Sequence, residues 1–194
     1  MNQTAILSPA LSPSFDRART LSRVMAVLFT IGFWLMLFVL AANFMTAIFP
    51  RPNIGTGLEH GIRIPGDQRG WQAIGALVAA NLVLLPDILI LHHTRKLFFC
   101  FARGEVFAAK TIAHIRATGW WLTASFFMGI AAIYLLQQCG LKNAINPGHI
   151  YFPGGLIGLS MEWKDALLIG VTTIIAAYVM EEARRIAAEN AEIV

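Results

Sequence analysis

Asp87 is the only acidic residue inside an apolar stretch of this chain, and it directly follows Pro86. Proline removes a helical hydrogen bond and tends to kink the helix it interrupts. A carboxylate at such a place is costly enough to be a functional candidate by default, for proton or ion coupling. The plainer alternative puts Asp87 near the inner end of its helix, reaching the interface or pairing with a polar group of a neighbouring helix. No basic residue in the spans partners it, so its support for a transporter is thin. A second constellation is imidazole. His93 stands eleven residues before Gly104 and His114 ten after it, so a helical hairpin turned at that glycine brings the two level. With His92 adjacent and Glu181 in the same region, a metal or haem site is geometrically conceivable. Ordinary interfacial histidine is the plainer reading, because spacing supplies neither rotational phase nor an outer shell. No metal and no other cofactor is therefore assigned. The third group is Phe98, Phe99, Phe101 and Phe107 interleaved with Arg95, Lys96, Arg103 and Lys110. Basic-aromatic helices contact anionic lipid, pack on a neighbouring helix or present a docking surface.

Four apolar stretches must position these groups. Val24–Phe49 has no charged side chain, and Trp71–Leu91 (broken only by Asp87), Thr118–Leu136 and Ala166–Met180 follow. A hydrocarbon core of about 30 Å takes about twenty apolar residues to cross as a helix. Backbone groups in lipid must bond within their own segment, so each stretch is a transmembrane helix. The composition, 57% hydrophobic and 13% charged, cannot cover a water-facing shell, since soluble domains carry about a quarter charged residues. The expected fold is all-α and polytopic: four transmembrane helices with a cytoplasmic helical hairpin between the second and third. Residues 1–15, with Ser8-Pro9 and Ser12-Pro13, read as a mobile tail, and 16–194 as one four-helix transmembrane domain. The first span reads as an uncleaved anchor, its run being about twice the length of a signal-peptide core.

Orientation follows from Lys and Arg, which accumulate on cytoplasmic loops. Ten of the fifteen lie on one side, in the amino-terminal segment, the middle loop and the carboxyl tail. Both termini are expected in the cytoplasm. The basic balance is mostly this sorting signal, so direct nucleic-acid binding is not expected. Cys100 and Cys139 fall at opposite ends of the spans, too far apart for a disulfide.

Helix two meets no breaker between Leu91 and Arg103, and a helical pattern resumes at about Phe107. Each hairpin arm beyond the membrane is then about ten residues, or about 15 Å. Ser160 is a candidate cap for helix four, with Glu162 and Asp165 in its first turn. That helix is expected to run on through the strongly helix-forming segment from Glu181 to Glu192. Small residues four apart, Gly75/Ala79, Ala76/Ala80 and Ser125/Gly129, would let helices two and three approach closely. Asn43 and Asn81 are expected to bond between helices. No Ser-His-Asp set, phosphate loop, HExxH or CxxC occurs, and no enzyme activity is expected.

Arg95-Lys96-Leu97-Phe98, then Arg103-Gly104-Glu105-Val106-Phe107, then Ile115-Arg116-Ala117-Thr118-Gly119-Trp120, resembles the central signature of a bacterial four-helix membrane family filed as domain of unknown function twenty-nine seventy-five. Met180-Glu181-Glu182-Ala183-Arg184-Arg185 with Glu189-Asn190 is similar to that family's carboxyl end, although Ala183 stands where the family carries Gly. The resemblance covers the chain from the first span onward. It implies a bacterial inner-membrane protein acting as partner to a small helix-turn-helix transcription regulator. On that reading the partner-binding residues are Arg95, Phe98, Phe101, Arg103, Gly104, Phe107, Glu181 and Glu182. The rival is a small transporter or channel subunit built on Asp87 and working as a homo-oligomer.

Overall fold

The computed structural model describes residues 13–48, 70–140 and 163–192. Most of the amino-terminal tail and the long loops between these stretches, Ser160 and Glu162 included, lie outside the described residues. Four helices account for nearly everything described: α1 (Pro13–Ile48), α2 (Trp71–Ala102), α3 (Ala109–Gln138) and α4 (Trp163–Glu192). Each has a stretch long and apolar enough to cross a membrane. At 1.5 Å per residue they measure about 45–54 Å, so every helix overshoots a hydrocarbon core of about 30 Å. Large apolar side chains stand exposed along them, Leu28, Phe38, Phe127 and Leu168 among them. Lipid tails are as apolar as leucine and cover such side chains without penalty, whereas in water they would form an adhesive surface. The chain is a multi-pass membrane protein.

α1 starts at Pro13, not near Asp16 as expected. Proline lacks the N–H that the first turn leaves unpaired and already holds a helical φ, so it opens a helix readily. α4 runs unbroken from Trp163 to Glu192, through the acidic segment.

The helices pack in chain order, α1 on α2, α2 on α3 and α3 on α4, and no comparable interface joins α1 to α4. The arrangement is an open row, where a four-helix bundle would close into a ring. Met36, Leu84 and Ile88 centre the α1/α2 contact. Ala79, Ala132, Leu136 and Cys139 centre the α2/α3 contact. Gly75 was expected to permit close approach, and a Cβ placed on it would run into Cys139 Sγ. Both cysteines are free and buried.

The turn between α2 and α3 is closed by backbone geometry. Gly104 takes φ +80°, a conformation in which a side chain is strained. Its N–H donates to Phe101 O (2.9 Å) and that of Glu105 to Cys100 O (3.0 Å). These are the two bonds of a Schellman cap, which satisfy the carbonyls that a helix end leaves open. Thr111, fully buried, donates through Oγ1 to Glu105 O (2.5 Å), and Lys110 pairs with the Glu105 carboxylate (2.5 Å). α3 therefore resumes at Ala109, two residues later than expected, because Ala108 keeps an extended backbone (φ −67°, ψ 145°) as the cap position. Phe107 is left in the turn.

Candidate functional site

The polar contacts between helices gather at the end of the row that carries this turn. The antiparallel register of α2 and α3 brings the two arms level there, and His93 Nδ1 lies 3.3 Å from His114 Nδ1. One of these nitrogens donates and the other accepts, so two neutral rings must hold different tautomers. Arg95 Nη2 donates to His92 Nδ1 (3.2 Å), and its guanidinium lies 4.0 Å over the Phe33 ring of α1. Such stacking suits a delocalised cation better than an ammonium. α3 is tied to α4 by Arg116, which donates to Glu181 Oε2 at 3.0 Å and lies over Tyr178. α1 is tied to the turn by Arg19, which donates to the Arg103 carbonyl at 3.2 Å.

The aromatic residues divide into two sets. Phe98 stacks on Phe29 of α1, centroids 5.3 Å apart and planes 11° from parallel, and Phe101 meets Phe98 edge-on. Both are half-buried, and Phe98 holds α1 against α2. Phe99 and Phe107 instead face outward, 46% and 62% exposed. Arg103 and Lys110 are exposed beside them. Glu182 bonds to Arg185 of its own helix (2.6 Å), and Arg185 also reaches Glu189 (3.4 Å). From Glu182 to Ala191 every residue of α4 is exposed.

Asp87 departs from its bland reading. It lies near the middle of α2, only 2% exposed, and its Oδ1 has no hydrogen-bond partner among the described residues. Helical phase sets it between the face of α2 that carries Leu84 and Ile88 toward α1 and the face that carries Ala79 and Val83 toward α3. Asn81 also differs from expectation: its Nδ2 donates to Leu77 O (2.8 Å) within its own helix. Asn43 is in α1, but its side chain lies outside the described residues.

The histidines form a pair and not a cage. Among the described residues no group of three or more His, Cys, Asp or Glu side chains could hold a metal ion, and Glu181 is engaged by Arg116. The Arg116–Glu181 pair is itself screened, with side chains 37% and 46% exposed. A double-mutant cycle of Arg116→Ala and Glu181→Ala should accordingly report a coupling of no more than about 1 kcal/mol, shrinking in high salt. A coupling several times larger and insensitive to salt would mean that the pair is the main clasp between α3 and α4.

Sequence reasoning missed the part α1 plays at this end. Phe29 and Phe33 are one helical turn apart and could have been matched with Phe98 and Arg95, but composition does not reveal which helix an aromatic face meets. No family model, curated protein or solved structure matches the chain.

Proposed function

We propose that this is a non-enzymatic integral protein of the bacterial inner membrane, with both termini cytoplasmic, that docks a soluble regulator on its α2–α3 turn. The observation that carries this reading is the outward placement of Phe99 and Phe107 with Arg103 and Lys110 around them. Binding energy concentrates in aromatic anchors ringed by polar groups, while charges raise the encounter rate. Phe98 serves the α1 contact and Phe101 packs on Phe98, both half-buried, which moves the anchor to the outward-facing pair. The concentration of Lys and Arg at this end supports a cytoplasmic location. The resemblance of the turn's sequence to the bacterial four-helix family supports a small helix-turn-helix transcription regulator as the partner.

Two measurements on the full chain test this. A cysteine at Gly104 should be labelled from the cytoplasmic side only. A helix-turn-helix protein from the native cell should co-purify with the wild type and be retained at least about tenfold less by Phe99→Ala/Phe107→Ala, a difference of about 1.4 kcal/mol. Arg51→Ala and Arg63→Ala in the outer loop should leave retention unchanged. Labelling of Gly104→Cys from outside, or no such partner, removes the reading.

A second reading, a small transporter or channel subunit, is favoured by one observation, the buried Oδ1 of Asp87 beside Pro86, which has no hydrogen-bond partner among the described residues.

A further inference from the structure

α4 has two unlike faces. Toward α3 it presents Ala166, Gly170 and Ala177, all buried, with Glu181 in phase at the end of that face. On the far side Ile169, Thr172, Ala176 and Val179 follow one another at alternating spacings of three and four within the candidate span. Ala183, Ile186 and Asn190 continue the same line beyond the last apolar residues, with no change of phase. Every side chain on the line is exposed; Val179 stands at 63% and Ile186 at 49%. This is the a/d spacing of a coiled-coil seam, and no described helix packs on it.

We propose that the line is the contact through which two copies of this chain pair, by parallel packing of their α4 helices. The occupant is identified by what each half of the line requires. Lipid can cover Ile169 to Val179 but not Ile186, which stands among Glu182, Arg184, Arg185 and Glu189. A soluble protein can cover Ile186 but cannot follow the line into the bilayer. Only another membrane helix that continues past the surface covers both halves, and α1, the remaining candidate among the described helices, packs on α2 instead.

The residues on and beside the line fit a second copy. Membrane insertion gives all copies the same orientation, so the two helices are parallel. Glu182 then flanks the seam opposite Ala187 of the other copy, where it meets no like charge. Arg185 further offsets Glu182 and Glu189 within its own helix. Asn190 falls at an a position, where an asparagine meets its own counterpart and fixes a two-stranded register. Ala176 and Ala183 keep the seam thin enough for close approach. The inference does not rest on docking at the α2–α3 turn, which uses other residues.

Single cysteines placed in the full chain and oxidised in native membranes read the phase directly. Ala183→Cys and Asn190→Cys should form disulfide-linked dimers at least about tenfold faster than Arg184→Cys and Ala188→Cys, because only seam positions of a parallel pair fall within disulfide reach. Cys100 and Cys139 stay in place, and the wild type supplies their background. In liposomes, energy transfer between donor- and acceptor-labelled copies should be present for the wild type and fall to the level of non-interacting proteins for Ala183→Trp/Ile186→Glu. Equal crosslinking at seam and control positions, no crosslinking on the seam, or unchanged energy transfer in the double variant would each overturn the proposal.

Discussion

A single methyl group at Gly119 is expected to push α3 away from α4 and to lower the stability of the purified protein by about 1–3 kcal/mol, the range for overpacking a tight contact. A Cβ there would lie 2.7 Å from Ile174 Cγ1, 2.9 Å from the Gly170 carbonyl and 3.0 Å from the Ile174 nitrogen. Two of the three atoms are backbone, so no rotamer change relieves the clash and the helices themselves must shift. The reciprocal site behaves alike, since a Cβ on Gly170 would meet Thr123 Oγ1 at 2.6 Å and the Thr123 nitrogen at 2.7 Å. Helix propensity works the other way, alanine being better than glycine by about 1 kcal/mol, but it cannot offset two backbone collisions. Gly32 is the contrast: its added Cβ would make only an ordinary contact with Leu91 Cδ2 at 3.8 Å. Gly32→Ala should therefore be neutral or slightly stabilising. The comparison is read from the folded fraction of each variant against a denaturing detergent, or from the temperature at which the monodisperse species is lost. Equal stability of Gly119→Ala and Gly32→Ala would mean that α3 and α4 do not cross at these glycines.

That crossing marks where the sequence stops being informative. The four helices were readable because an apolar run of sufficient length has one stable form in lipid. The turn at Gly104 was readable because nothing earlier breaks α2 and because a left-handed residue favours glycine. The levelling of His93 and His114 followed from their near-equal distances to that turn, since rise per residue is fixed. Rotational phase is different: it depends on which faces meet, and that is a property of two helices together. Gly75 stood out as half of a small-residue pair, yet Ala166/Gly170 has the same spacing of four and went unnoticed, as did Gly119 on the opposing helix. Phe98 and Phe107 looked equivalent as members of one basic-aromatic segment. Only the packing of α1 separates them, placing Phe98 against Phe29 and leaving Phe107 open. Asp87 shows the same limit: its place between the α1-facing and α3-facing sides of α2, and hence its burial, depends on which helices meet those sides.

The other large effect is expected at Asp87, where stability and function should part company. A carboxylate in hydrocarbon is tolerated when a proton, a metal ion, a counter-charge or several hydrogen bonds offset its lost hydration. Oδ1 has no hydrogen-bond partner among the described residues, and no ion pair there involves Asp87. The group thus contributes little to holding the fold, and an unsatisfied buried polar atom costs about 1–3 kcal/mol. Asp87→Leu should in consequence leave the folded protein as stable as the wild type or more stable by up to that amount. Asp87→Asn keeps the volume while removing the proton site and the charge. Its amide can also seek an acceptor in the turn loosened by Pro86, whose missing N–H leaves the Leu82 carbonyl without its helical donor. Both variants should insert and accumulate normally. If the protein couples to protons or cations, reconstituted wild type should pass them down a gradient and both variants should lose that flux at least about tenfold, with the stability comparison ruling out misfolding as the cause. Two results dispose of the coupling role: wild-type flux in Asp87→Asn, or a loss of more than about 3 kcal/mol of stability in Asp87→Leu, a cost that belongs to a group bonded into the fold. Retention of the soluble partner by Asp87→Asn, measured on the same preparation, then separates the two proposed functions, because docking at Phe99 and Phe107 makes no use of the carboxyl.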